Sequence, residues 1–182
     1  MKLLSGLVSL FLVFSFLLSP VFAQTNDQLP EASEAAGTVD VASLFWPIVP
    51  GTTVAEGTFF LKQLKESLQG MFTFGDVNKA KYEVELSKKR IVEANKLVEA
   101  QDYGNAVKSL EMSEDKRDAA IDLKRKAAET KEDTLELTNF MVDAFQKEEQ
   151  VLKYFSVAAP ADQKAVIDEQ VKNIELQISE AK

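Results

Sequence analysis

The sequence predicts an all-α protein. A long antiparallel helical hairpin packs with three further helices into a small bundle, after a signal peptide and an acidic disordered linker. Three observations predict this. Apolar and small residues recur at heptad spacing between Val77 and Val98. Gly and Pro are scarce beyond residue 75, as a helical body requires. The N-terminus joins a short positive start to an apolar run.

That run extends from Leu3 to Leu18 and is followed by Ser19-Pro20-Val21-Phe22-Ala23. Val21 and Ala23 suit the −3 and −1 positions of a cleavage site, so residues 1–23 read as a signal peptide. The run falls short of the ~20 residues that span hydrocarbon. Cleaved or kept as an anchor, it places the body outside the cytoplasm, secreted or held at the envelope. Membrane contact is expected only through this segment, if it is retained.

Residues 24–57 carry Asp27, Glu31, Glu34, Asp40 and Glu56 and no Lys or Arg, the composition of an acidic disordered spacer. Within it, Leu44 to Gly51 is an apolar, Pro-punctuated patch holding the only Trp of the chain. Such a segment lies extended in a groove, either on its own domain or on a partner. Phe45, Trp46, Pro47, Ile48 and Pro50, with Phe59 and Phe60, form the candidate interaction patch.

The helical body takes residues 58–182. Thr58 caps a short amphipathic helix, with Leu61, Leu64, Leu68 and Met71 on one face, expected to close the bundle. In the first hairpin arm, Val77, Val84, Ile91 and Val98 alternate with Ala80, Ser87 and Ala94, a seam that admits a close second helix. Asp76 is its expected N-cap and Asn105 that of the second arm, after a turn at Gln101 to Asn105. The second stripe runs Ala106, Leu110, Ser113, Arg117, Ala120, Lys124, Ala127. It is thin, and its two cations are expected to lay their stems on the facing helix with the charges in water, or to be completed by a second copy of the chain. Leu137, Met141, Ala144, Val151 or Leu152, and Phe155 make a fourth, strongly apolar helix. A fifth carries Ile167, Val171, Ile174 and Ile178.

Composition narrows the chemistry. The chain has 182 residues, no Cys, no His and a formal net charge of −8. Missing Cys and His remove disulfides, thiolate nucleophiles, zinc–sulfur sites and the commonest general base. The acidic balance and the Glu/Asp-interleaved Lys clusters argue against nucleic acid. The carboxylate neighbours Glu83/Glu85, Glu114/Asp115, Glu132/Asp133 and Glu148/Glu149 read as solvated charges, and no cofactor or metal motif appears. A non-enzymatic role is therefore expected. It would be a protein-interaction or structural module of the cell envelope that binds an unidentified envelope or extracellular protein or self-associates. A small Glu/Lys enzyme is the remote alternative.

Two segments carry a family resemblance. Pro50-Gly51 with Phe59-Phe60-Leu61-Lys62-Gln63-Leu64-Lys65-Glu66 is one, and Phe72-Thr73-Phe74-Gly75-Asp76-Val77-Asn78-Lys79-Ala80 leading into Leu86 to Ala94 is the other. Over about residues 50–130 the chain resembles the bacterial exported family called domain of unknown function 5667. The family's second Pro and its Asp-Pro pair are replaced here by Gly57 and Asp76-Val77. The resemblance implies an exported or envelope-attached helical domain and supplies no catalytic residues.

Overall fold

The computed structural model describes residues 39–182, and the signal-peptide segment and residues 24–38 lie outside them. Six helices follow in order: α1 (Val41–Leu44), α2 (Phe59–Met71), α3 (Asp76–Glu99), α4 (Tyr103–Glu129), α5 (Leu135–Ala158) and α6 (Ala161–Glu180). No strand occurs among the described residues. α3 packs along α4, α4 against α6, α6 against α5, and α5 back against α3. Four helices thus close a ring around one core, the expected all-α bundle.

Each helix turns its apolar stripe into that ring. Ala80, Val84, Ile91 and Ala94 of α3 and Ala106, Leu110, Ala120 and Ala127 of α4 are buried. The small residues let the two arms approach closely. α5 supplies the bulk: Leu137, Met141, Phe145, Val151, Leu152 and Phe155 are fully enclosed, and Ile167 and Ile174 of α6 complete the core. At ~1.5–3 kcal/mol for each large apolar side chain, this burial is the main stabilising term.

The hairpin turn is tighter than the sequence suggests. Asp102, rather than Asn105, caps α4, its carboxylate accepting from the Asn105 N–H at 3.2 Å. Gly75 precedes α3 with φ +81°, and Asp76 sits inside the first turn, where its charge suits the helix dipole. α3 and α4 end alike. Gln101 and Lys131 adopt left-handed backbone (φ 59° and 62°). The following amides bond back across the helix end, Asp102 N to Leu97 O at 2.8 Å and Glu132 N to Ala127 O at 3.0 Å.

Two expectations of the sequence are corrected. Of the segment read as a disordered spacer, residues 39–57 form a strap on the bundle. Asp40 caps α1 through its bond from the Ser43 N–H, and Val41 and Phe45 reach the core. Burial of these apolar side chains holds the segment on the bundle.

The second correction concerns the cations and carboxylates placed in water. Arg117 and Glu148 are both 0% exposed. Arg117 falls on the α4 stripe between Ser113 and Ala120, and Glu148 on the α5 stripe between Ala144 and Leu152, so helical geometry turns both inward. The guanidinium donates to Glu148 Oε2 at 2.8 Å, to Ser113 Oγ at 2.9 Å and to Gln177 Oε1 at 2.5 Å. Ser87 Oγ donates to Glu148 Oε1 at 2.6 Å. One polar knot therefore draws on α3, α4, α5 and α6. Burial pushes the Glu148 carboxyl up, opposed by Arg117 and the two serine hydroxyls. Lys124 is also satisfied within the chain, donating to Ala181 O at 2.7 Å. The seam that was open to completion by a second copy is closed internally.

Removing one member of the knot strands the other charge in the core. Arg117→Ala or Glu148→Ala is expected to cost about 3–5 kcal/mol in urea unfolding, and the paired change Arg117→Met with Glu148→Leu much less. At the helix ends, Gln101→Gly and Lys131→Gly should each raise thermal stability, by roughly 0.5–1 kcal/mol, because glycine reaches positive φ without the Cβ clash.

Candidate interaction surface

α2 inverts the usual amphipathic rule. Phe59, Lys62, Glu66 and Gly70 lie along one side of the helix, and this side faces the bundle. Phe60, Leu61, Leu64, Leu68, Met71 and Phe72 occupy the opposite side and are between 47% and 75% exposed. The leucine stripe expected to close the bundle points to solvent instead, and Phe74 beyond it is 78% exposed.

Charge explains the inversion. On α3, Arg90 and Glu93 lie off the seam facing α4 yet are almost fully buried. Arg90 bonds Glu93 Oε2 at 2.8 Å and pairs with Glu66 of α2. Lys89 reaches Glu66 Oε1 at 2.7 Å. Lys62 pairs with Glu93 and donates to Thr52 O of the strap at 2.7 Å. The Phe59 ring lies under both cations, 4.9 Å from Lys62 Nζ and 5.2 Å from the Arg90 guanidinium carbon. Tyr82 adds a bond to the Glu66 carbonyl at 2.8 Å. The polar side of α2 thus brings Lys62 and Glu66 to the charges that α3 buries.

Burial alone would raise the Glu66 carboxyl. The bond from Lys89 and the charge of Arg90 outweigh it and hold the group below its ordinary value of 4.5. For Lys62, burial pulls the ammonium down against the bond to Glu93.

Between α2 and the hairpin lies a cleft of about 470 Å³ holding Glu66, Tyr82, Glu83, Arg90 and Lys116. Glu83 is paired with Lys116 at 2.9 Å, and Glu66 with Arg90 and Lys89. Acid–base hydrolysis by two carboxyls needs one with a raised pKa, whereas the Glu66 carboxyl is held low. No group of three or more Asp or Glu fit to hold a metal occurs among the described residues. No helix among them is long and apolar enough to cross a membrane.

The candidate patch read from sequence does not form one surface. Phe45 and Phe59 are buried and Ile48 is half-buried against the core. Trp46 is 79% exposed, and Pro47, Pro50 and Phe60 are also exposed. Trp46 and Pro47 border a shallow hollow with Lys88, Phe140 and Lys147. Phe60 instead belongs to the outward stripe of α2. That stripe, with Leu61, Leu64, Leu68 and Met71, is what sequence reasoning placed inside. The available signal was its opposite side, where Lys62 and Glu66 stand four residues apart and match the charges of Arg90 and Glu93.

The fold and these residues define a small all-α bundle with a further helix docked through its charges. A family model described as Domain of unknown function (DUF5667) matches residues 55–180, and the chain belongs to that family. The match runs through α5 and α6, well beyond the residues that carry the resemblance in the sequence. No curated protein and no solved structure matches the chain.

The Glu66 network sets a pH dependence. A carboxyl titrating lower in the folded than in the unfolded state stabilises fully above the unfolded value and ceases to do so as pH falls through the folded one. The α2 amides, Phe59–Met71, are therefore expected to lose hydrogen-exchange protection below about pH 4.5, before the core of α3 and α5 does. In Glu66→Gln this acid step should disappear, with α2 weakly protected throughout.

Proposed function

We propose that the chain is an exported, non-enzymatic helical module of the cell envelope that works by binding another protein chain. The single observation carrying this reading is the outward apolar stripe of α2. Its six side chains form a continuous patch on a helix whose polar side is already occupied. Contiguous exposed apolar surface beyond a few hundred Å² marks an interaction site. The direction of export is read from residues 1–23. The non-enzymatic part rests on the pairing of each carboxylate in the α2 cleft with a cation.

Envelope fractionation tests the location, and a photo-crosslinking residue in place of Phe60 tests the surface. The full chain is expected outside the cytoplasm, with Phe60-dependent adducts to protein. Leu64→Glu with Leu68→Glu should abolish those adducts and leave the location unchanged. Retention in the cytoplasm, or adducts indifferent to the double change, would overturn the proposal.

A further inference from the structure

Taking α2 as the binding face proposed above, we infer that the partner on this face is a second copy of the chain. The two α2 helices would pair antiparallel about a two-fold axis.

Three features of the stripe carry this. Leu61 and Leu68, and Leu64 and Met71, are each seven residues apart, so the exposed residues form a two-heptad a/d seam. Such a seam fits another helix better than a flat or fluid surface. The stripe is also symmetric about residue 66. Phe60 and Phe72, Leu61 and Met71, and Leu64 and Leu68 stand at equal distances on either side. An antiparallel copy therefore meets each apolar residue with an apolar residue. Self-complementarity of this kind is the requirement of an isologous two-fold contact. In antiparallel seams a-positions face d-positions, which is how Leu61 meets Met71 and Leu64 meets Leu68.

The third feature is area and charge. At roughly 150–250 Å² per aromatic side chain, Phe60, Phe72 and Phe74 alone leave several hundred Å² exposed. With the leucines and Met71 the patch approaches the ~800 Å² per partner of a standard interface. Lys62 and Glu66 are turned inward and paired. Of the three charged residues of α2, only Lys65 is exposed and outside these ion pairs. Pairing thus desolvates almost no charge. The net −8 of each chain opposes association at long range, and salt screens it.

The absence of cysteine permits a direct test in the full chain. Two differently tagged copies, one Leu61→Cys and one Met71→Cys, are produced together and treated with a short bis-maleimide in intact cells. A mixed Leu61–Met71 link is expected. A Leu61–Leu61 link is not, because those sites would lie about 15 Å apart along the pair.

The purified protein should sediment at twice the mass of one copy, more completely as salt is raised. Leu64→Glu with Leu68→Glu should sediment as one copy with unchanged helical circular dichroism, since both leucines are already half-exposed. Leu176→Glu, at an exposed leucine of α6, should leave the pair intact.

A single-copy mass at the highest soluble concentration would overturn the inference. So would a pair that survives the double change, or a Leu61–Leu61 link. If Phe60-dependent adducts form with other proteins and never with a second copy, the binding reading stands and the second copy is wrong. Stripe-dependent flotation with neutral lipid vesicles in place of pairing overturns both.

Discussion

The register of the bundle turns on one buried ion pair. Arg117 and Glu148 sit in the centre of four helices, bonded also to Ser87, Ser113 and Gln177. Apolar stripes can slide: leucine packs on valine in many registers. A guanidinium and a carboxylate cannot, because a shift of α4 or α5 by one turn strands a charge in a medium that solvates it poorly. The pair thus selects one alignment of α3, α4, α5 and α6 from the many that hydrophobic burial allows. Ser87 and Ser113 have the additional effect of keeping the hairpin arms close at the level of the pair.

The second network, under α2, works differently. Glu66, Arg90, Glu93 and Lys62 alternate in sign between a helix of the ring and a helix outside it. The α2 backbone approaches the ring at few points, so long side chains make most of the contact. A helix held in this way keeps its apolar side free. It is also bound by interactions that respond to acid. The same feature that positions the surface makes it the most separable part of the body.

Part of this was legible beforehand and part was not. The α3 seam, the α4 stripe, the α5 core and the α6 face were readable because each obeys a single period and each is buried on one side. The strap was misread because its acidic, Pro-rich composition outweighs the few residues, Val41 and Phe45, that dock it. The outward face of α2 was misread for a stronger reason. Hydrophobic periodicity names two sides of a helix and leaves open which one meets the protein. Only the matching charges on α3 decide that, and no local window contains both.

By itself the sequence determined that the body is helical, where its long helices run, and which stripes are apolar, since these follow from spacing along one chain. The tertiary structure decided that Arg117 and Glu148 belong together in the core and that α2 is docked through its charges. Both outcomes join residues far apart in the chain, 31 positions for the first pair and 24 for Glu66 with Arg90. The energy of a buried charge depends on what stands opposite it, and that partner exists only once the helices have been brought together.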